Sequence, residues 1–360
     1  MSNNWFNFLS DFGATFSDQQ EVSFAQSVDA TNNTTINTTL KGELYLTDLS
    51  WLGLIEVSGE DKQTFLQGQL TNDINAVSST LSHMSGLCTP KGRLRALFTI
   101  FSHKDSARRE NLYLQLPLPL LEENLKRLKM FVMMSKVELN DVSDEQIKIG
   151  VYGSKAEKHL IDAGFTIPAE TNMVSENNGI VLIRLSGDTP RFECVGSIDK
   201  QKNLWTTLFQ PQAQLLSTSQ WRLLDIQAGT PNVFAQTSET YIPQMLNLQL
   251  LNGINFKKGC YTGQEVVARM QYLGKLKRRM YRVHCDAEQV PLPGSPLHSA
   301  SSKSGQGAGN VVDAQMSLQG GVDLLAVITT EAVENDDIFL DEAMQLPLTL
   351  QELPYSLETP

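Results

Sequence analysis

Hydrophobic residues along the chain fall into short runs typical of β-strands and longer stretches spaced like one face of a helix. Gly and Pro separate many of these stretches, and several strand-like runs are joined by short turns. Strands in hairpin order with helices between them predict an α+β fold, not a doubly wound parallel sheet. The predicted strands are 48–59, 81–88, 94–101, 131–139, 147–151, 180–185 and 191–195, and the predicted helices are 61–70, 121–128, 154–163, 199–208 and 217–228.

Changes in this pattern divide the chain into five segments. Residues 1–40 are rich in Asn, Thr, Ser and Gln and predict a mobile N-terminal extension. Two α+β domains are expected over 41–145 and 146–272, and the short strands of 273–346 predict a small C-terminal β-barrel. Residues 347–360 are predicted to form an acidic tail.

A hairpin with a charged turn is predicted near residue 90. The strand-like runs 81–88 and 94–101 are joined by Thr89-Pro90-Lys91-Gly92-Arg93. Pro and Gly at these positions are typical of a tight turn, which here carries two cations.

The helix 217–228 has clear start and stop signals. Ser and Thr residues precede it, and Gly229 and Pro231 follow it. Trp221 and Asp225 are four residues apart and therefore share one helix face. That face presents an indole next to a carboxylate.

Composition indicates an ordinary globular protein. The chain has 360 residues, of which 41% are hydrophobic and 19% charged, enough for two or three domains. The aromatic residues near the N-terminus are interrupted by polar residues and lack a basic leader, so neither a signal peptide nor a membrane span is predicted.

The cysteines give no metal motif. Cys88, Cys194, Cys260 and Cys285 include no Cys-x-x-Cys pair, so neither a zinc site nor a cysteine-only iron–sulfur cluster is encoded locally. Their sparse use suits a reducing compartment. We expect a soluble, cytoplasmic protein without a resident metal or membrane contact.

Charge is distributed unevenly along the chain. The net charge is −11, yet residues 252–282 contain eight Lys or Arg residues and one Glu. Residues 331–360 contain eight acids and no base. The basic stripe attracts an anion such as a phosphate, a polyglutamate tail or an RNA backbone, or it is a solvated strand surface paired with the acidic C-terminus.

The most informative stretch is 252–265, which reads as a glycine-containing loop delivering Cys260 to the start of a helix. Thr262 and Glu265 have the Thr-x-x-Glu spacing of a capping box. The helix N-terminus, together with Lys257 and Lys258, favours thiolate over thiol and predicts a reactive cysteine. The alternative is a buried structural cysteine.

Lys257-Lys258-Gly259-Cys260-Tyr261-Thr262-Gly263-Gln264-Glu265 resembles the signature of the YgfZ family. These are folate-binding proteins related to tRNA modification that help iron–sulfur enzymes, and they are similar in fold to the T-protein of the glycine cleavage system. The runs 65–73 and 89–93 also resemble the opening of that family's folate-binding domain, which places the first part of this domain in 41–145. The resemblance implies a site with Lys258, Cys260 as a reactive thiolate, and Tyr261.

The resemblance also implies two folate-binding tryptophans. Asp48-Leu49-Ser50-Trp51 and Ser219-Gln220-Trp221 resemble the contexts in which the family's tryptophans bind folate, expected as tetrahydrofolate. An indole offers a flat apolar face to a pterin or aminobenzoate ring. By residue type and spacing alone, Trp51 and Trp221 are better explained as core residues, and only the resemblance favours folate binding. Arg93, Lys258 and Arg269 are candidates to meet the carboxylates of folate.

Three functions follow. The leading hypothesis is a monomeric, folate-binding accessory protein whose Cys260 supports assembly or repair of iron–sulfur enzymes, including those that thiolate tRNA. The first alternative is a tetrahydrofolate-dependent aminomethyl transferase like the T-protein, so whether the chain is an enzyme stays open. The second is a tRNA-binding module acting through 275–282, which the acidic net charge disfavours.

Overall fold

The computed structural model describes residues 3–25, 43–104, 109–274, 276–300 and 307–358. The helices are α1 (Asn3–Ser10), α2 (Lys62–Gln67), α3 (Leu121–Met130), α4 (Ala156–Asp162), α5 (Ile198–Leu208), α6 (Thr218–Gln227), α7 (Gln264–Leu273) and α8 (Thr330–Glu334). Single 3-10 turns lie at Ile74–Ala76, Leu118–Leu120, Ala235–Thr237 and Pro243–Leu246.

The strands in the first half are β1 (Ala14–Phe16), β2 (Val22–Phe24), β3 (Leu44–Asp48), β4 (Leu52–Ser58), β5 (His83–Cys88), β6 (Leu94–Lys104), β7 (Glu110–Pro117), β8 (Glu138–Asp141) and β9 (Gln146–Tyr152). Those in the second half are β10 (Val174–Asn177), β11 (Ile180–Arg184), β12 (Arg191–Ser197), β13 (Ala213–Leu215), β14 (Arg278–Cys285), β15 (Pro296–Leu297), β16 (Gly309–Met316), β17 (Val322–Thr329) and β18 (Thr349–Gln351).

Three larger sheets organise these strands. Their orders are β10-β11-β12-β9-β3-β13, β5-β6-β7-β4-β8 and β15-β16-β17-β14-β18, and β1 and β2 form a separate hairpin. Within the described residues every pair of these strands is antiparallel except β3 with β13. The α+β prediction is confirmed, as is the hairpin of β5 and β6 around the turn at 89–93.

The predicted single strand 48–59 is wrong. Residues 44–48 form β3 in the six-stranded sheet, whereas 52–58 form β4 in a five-stranded sheet. The chain crosses from one sheet to the other over 49–51, where the Leu52 N–H donates to the Leu49 carbonyl at 3.0 Å. Because β3 pairs with β9, the six-stranded sheet also spans the expected domain boundary at residue 145.

Residues 3–25 form a helix and a hairpin, so the prediction of a mobile extension is wrong for this part of the chain. Helix α1 and the β1–β2 hairpin pack on the six-stranded sheet, and the indole of Trp5 is fully buried against Trp205. Trp5 donates its indole N–H to the Asp48 carboxylate at 2.7 Å. The aromatic residues near the N-terminus are therefore an anchor, while residues 26–40 lie outside the described residues.

The C-terminal sheet curls but does not close. Its edge strands are β15 and β18, and within the described residues these two strands do not pair with each other, so the predicted small β-barrel is confirmed only as a curled antiparallel sheet. The predicted acidic tail is also partly structured, because β18 pairs with β14. No helix in the described parts of the chain has the length and apolarity needed to cross a membrane.

Candidate functional site

Trp51 lies at the crossing between two sheets. The Asp48 carboxylate closes this crossing by accepting from the Ser50 N–H at 3.0 Å and the Ser50 hydroxyl at 2.8 Å. Trp5 donates to the same carboxylate, so the N-terminal helix fixes the turn that presents Trp51. Burial raises the pKa of Asp48, and these three donors oppose that rise.

Trp221 is fixed by the start of α6 and by a glycine beneath it. The helix begins with a capping box between Ser217 and Gln220, as its sequence signals predict. A Cβ at Gly150 would lie 2.6 Å from the Trp221 ring, so only glycine at this position of β9 leaves room for the indole. The Arg191 guanidinium lies over the same ring, 5.2 Å from its centroid.

Both tryptophans line one cavity of about 340 Å³. They also belong to one buried aromatic and aliphatic cluster between the sheets. The cavity volume falls in the range of about 300–1,000 Å³ typical of small-molecule sites. The pair that sequence similarity singled out is thus brought together by the fold.

A group of buried polar side chains completes the cavity wall. Arg191 and Asp225 form an ion pair at 2.8 Å, and Gln115 donates to Glu193 at 3.1 Å. Burial raises the pKa of Glu193 to about 7, against the opposing effects of Gln115, Lys148 and Arg191. Burial also raises the pKa of Asp225, with Arg191 opposing.

Sequence reasoning missed Arg191, Glu193 and Gln115, although it placed Asp225 beside Trp221. A signal was present for two of them. Arg191 and Glu193 alternate with Phe192 and Cys194 in β12, and charged residues at every second position of a buried strand face one side of its sheet.

Several polar atoms of the cavity wall lack a hydrogen-bond partner among the described residues. They are the indole N–H of Trp51, one carboxylate oxygen of Glu193 and the side-chain oxygen of Gln115. Buried polar groups are nearly always satisfied, so unpaired ones in residues that line a cavity mark it as a candidate site for a polar ligand. A second cavity of about 390 Å³ shares Arg191 with the first.

The signature loop is joined to the run 65–73 by direct hydrogen bonds. Thr71 donates its hydroxyl to the Gly253 carbonyl at 2.7 Å, and Asn72 donates its amide to the Asn252 carbonyl at 2.7 Å. The Lys258 ammonium donates to the carbonyls of Leu70 and Asn72, both at 2.7 Å. These contacts fix the chain that leads to the cysteine.

The start of α7 is joined to the turn at 89–93 by two glycines. A Cβ at Gly263, which has φ +85°, would lie 2.4 Å from the Thr89 carbonyl oxygen. A Cβ at Gly92, with φ +70°, would lie 2.8 Å from the Cβ of Val266. The signature loop therefore contacts both of the other runs that resemble the family.

The predicted capping box at Thr262 and Glu265 is wrong. Helix α7 begins at Gln264 with Gly263 as its N-cap, and no side chain caps it. The close approach to the turn at 89–93 requires a left-handed glycine at that point, which displaces the helix start by one residue.

Cys260 is exposed and free, and it does not line the cavity. The neighbouring Gly259 leaves open space, since a Cβ there would meet no atom within 4 Å. The alternative of a buried structural cysteine is therefore excluded, whereas thiol reactivity remains a prediction. Asn255 fixes the approach by accepting from the backbone N–H groups of Lys257 and Lys258 at 2.8 and 3.0 Å.

Lys258 and Tyr261 point inward from this loop. Burial lowers the pKa of Lys258 to about 8, with Asp73 opposing. The Lys258 ammonium lies 5.3 Å from the centroid of the Tyr261 ring. Burial raises the pKa of Tyr261. Both side chains therefore pack against the protein beneath the loop and do not project into solvent.

The cations expected to meet folate carboxylates do not line the cavity. Arg93 donates to the Thr240 carbonyl, Lys258 is bound as described, and Arg269 is exposed on α7. Among the described residues that line the cavity, Arg191 is the one lysine or arginine. In the basic stripe, Arg279 donates to the Leu357 carbonyl, which ties this part of it to the C-terminal segment.

The chain resembles curated proteins over most of its length. It is 33% identical over 317 residues to the tRNA-modifying protein YgfZ of Colwellia psychrerythraea, covering 88% of this chain and 94% of that protein. It is 33% identical over 320 residues to the tRNA-modifying protein YgfZ of Yersinia pestis, covering 87% and 93%. No protein-family model matches the chain.

A solved structure shares the fold. The glycine cleavage system aminomethyltransferase T from Bartonella henselae matches with a TM-score of 0.72 over 97% of this chain and 96% of that chain. The two sequences are 14% identical, so this likeness establishes the fold alone. The predicted T-protein-like fold is confirmed.

Proposed function

Because the chain belongs to the YgfZ family, we propose that it is a folate-binding accessory protein of tRNA modification. The observation that carries the proposal is the cavity between the sheets, where Trp51 and Trp221 meet buried polar atoms that have no partner among the described residues. Tetrahydrofolate is the expected ligand.

The cavity wall suits a pterin ring. The indoles of Trp51 and Trp221 offer apolar surface, and the free oxygen of Glu193 accepts from ring N–H groups. The Trp51 N–H donates to a ring acceptor. The adjoining cavity at Arg191 gives an elongated ligand room to extend, with one guanidinium on the way.

Cys260 carries the second half of the proposal. It is exposed on a loop that Lys258 ties to the run 65–73, and it does not line the cavity, so it is available to an outside partner. One thiolate shares in ligating a cluster only together with a partner's ligands. We place this thiol in the assembly or repair of iron–sulfur enzymes, including those that thiolate tRNA. Four free cysteines suit a reducing cytoplasm.

Tryptophan fluorescence tests the folate half. Tetrahydrofolate should quench the wild-type protein, and Trp221→Phe should weaken binding about tenfold, the loss of roughly 1.4 kcal/mol of ring contact. Trp205→Phe is the matched control, because Trp205 is buried in the core beside α1 and does not line the cavity. Equal affinity in wild type and Trp221→Phe would contradict the assignment.

Alkylation tests the thiol half. In the folded protein, iodoacetamide should modify the exposed Cys260 well before it modifies any of the three buried cysteines. A Cys260→Ser protein serves as the blank, because Cys88, Cys194 and Cys285 are buried. Modification of Cys260 as slow as that of the buried cysteines would contradict an accessible, reactive thiol.

An aminomethyl transferase is the second candidate, favoured by two buried carboxylates, Glu193 and Asp225, at the cavity wall. Such groups position a folate and accept a proton during one-carbon transfer. Tetrahydrofolate-dependent turnover of an aminomethyl donor, lost in Glu193→Gln or Asp225→Asn, would rank this candidate first.

A further inference from the structure

Four large apolar side chains stand exposed next to each other at the end of α3. We name Met130, Phe131, Met133 and Met134 the methionine ledge. Met133 is 89% exposed and Met134 is 97% exposed. Exposed apolar patches of adjacent residues mark interaction sites more often than they mark ordinary surface.

The backbone holds the ledge outward. Helix α3 ends at Met130, the Phe131 N–H donates to the Leu128 carbonyl at 3.0 Å, and Ser135 donates to the Val132 carbonyl at 2.8 Å. Met133 has φ +41°, a left-handed conformation that costs a residue with a side chain about 1–3 kcal/mol. Such strain persists where the surrounding turn imposes it, and here it projects a methionine into solvent.

A shallow groove continues from the ledge along α3. It has a volume of about 440 Å³ and is lined by Leu125, Lys126, Lys129 and Met130, with Glu122 at one end. The methylene stems of the two lysines add apolar surface while their ammonium groups form the rim. Helix α3 thus presents an apolar trough with positive edges.

Charge complementarity identifies the partner. Lys126, Arg127 and Lys129 precede the ledge in the second half of α3, whereas the acids Glu122 and Glu123 lie in its first turn, so the end of the helix next to the ledge attracts an acidic partner. Methionines are flexible and adapt to differing apolar side chains, as at surfaces that bind several partners. An acidic amphipathic helix fits both features, with its apolar face in the groove.

Nucleic acid fits less well. Stacking on bases needs free aromatic faces, and the ring of Phe131 is already covered by the Arg127 guanidinium, 5.4 Å from its centroid. The thioether side chains of Met133 and Met134 gain nothing from a phosphate backbone.

The ledge borders the cysteine loop. Arg127 and Phe131 line one crevice together with Thr262, two residues beyond Cys260. A protein seated on the ledge is therefore brought to the side of the molecule on which the thiol is exposed.

We propose that the methionine ledge and the α3 groove dock an acidic amphipathic helix of a partner protein beside Cys260. That this partner is an iron–sulfur enzyme rests on the proposed function, whereas the docking itself does not.

Fluorescence anisotropy with four probes tests the docking. The probes are a labelled peptide helix with one leucine face and one glutamate face, the same peptide with lysine in place of glutamate, bulk tRNA, and vesicles of phosphatidylcholine and phosphatidylglycerol. The full chain should bind the glutamate peptide at least tenfold more tightly than the lysine peptide. Met133→Glu/Met134→Glu should lower that affinity at least tenfold.

Ile161→Glu/Leu292→Glu is the matched control. It adds the same charge at two exposed apolar residues of α4 and the 286–295 loop, and it should leave peptide affinity unchanged. Lys126→Gln/Lys129→Gln should weaken binding and flatten its salt dependence.

Three results would overturn the proposal. The first is no binding or no preference for the glutamate peptide. The second is equal affinity in the ledge and control variants. The third is that Met133→Glu/Met134→Glu abolishes binding to tRNA, to vesicles or to a second copy of the chain instead. Tetrahydrofolate titration of the same proteins separates the two proposals, because the ledge variant should bind folate like wild type.

Discussion

Glu193 makes the fold's stability depend on pH in a way that one substitution removes. The carboxylate is buried in β12 at the cavity wall, and burial raises its pKa from 4.5 to about 7. In the unfolded chain the same group is expected near its ordinary value. Glu193→Gln keeps the shape of the side chain and the oxygen that accepts from Gln115, but it removes the titration.

The direction of the pH dependence follows from which state, folded or unfolded, holds the proton of the Glu193 carboxyl group. Below about pH 4.5 the group is protonated whether the chain is folded or unfolded, and its favourable contribution is fully present. As the pH rises from about 4.5 to about 7 the unfolded chain releases the proton while the folded chain keeps it, so the free energy of unfolding falls. The difference between the folded and unfolded pKa values of Glu193 corresponds to about 3 kcal/mol in the free energy of unfolding. About 2.5 kcal/mol of this is lost between pH 5 and pH 8.

Urea unfolding followed by circular dichroism measures this. The free energy of unfolding of wild type, minus that of Glu193→Gln, should decrease by about 2.5 kcal/mol from pH 5 to pH 8. Glu122→Gln, at an exposed position of α3, is the control. Curves for wild type and Glu193→Gln that stay parallel across this range would refute the reasoning.

Three further predictions concern the cysteine loop. In urea melts, Gly263→Ala should lower the free energy of unfolding by about 1–3 kcal/mol, because its Cβ would meet the Thr89 carbonyl in a left-handed backbone. Gly259→Ala is the control, and it should change the free energy of unfolding by under about 0.5 kcal/mol, because a Cβ there meets open space. Lys258→Met should cost at least about 2 kcal/mol in the same melts, since two buried carbonyls lose a charged donor, and an unchanged midpoint would contradict the contacts described. Cys260→Ser should leave the free energy of unfolding within about 0.5 kcal/mol of wild type, because the side chain is exposed. In a strain that lacks the gene, the wild-type protein should restore tRNA thiolation and Cys260→Ser should not.

Local signals predicted the elements that local chemistry decides. The start of α6 carries a capping box in its own sequence, and Gly229 ends it, so both bounds were readable. The β5–β6 hairpin was equally readable, because its turn contains Pro and a left-handed Gly92. Trp221 and Asp225 share a cavity wall because four residues make one helical turn.

The remaining features depend on partners far away in the chain. Local composition assigns Trp5 to a polar extension, because the residue that accepts its indole hydrogen bond, Asp48, lies 43 residues further along the chain. The capping signal at Thr262 was overridden by the Thr89 carbonyl, which approaches so closely that only Gly263 fits. Tyr355 lies in a stretch that composition marks as acidic tail, yet it lines the cavity and donates to the Gly229 carbonyl at 2.8 Å.

The separation of thiol and cavity limits what the protein can do. Cys260 does not line the cavity, so its sulfur does not act directly on a ligand held between Trp51 and Trp221. The two are linked through the backbone instead: Asn252 lines the cavity, and its carbonyl is held by Asn72, whose own carbonyl binds Lys258, two residues before the cysteine. A ligand that displaced Asn252 would therefore act on the loop that carries the exposed thiol. That arrangement favours a protein in which folate adjusts the presentation of a cysteine to a partner over one in which the cysteine performs one-carbon chemistry.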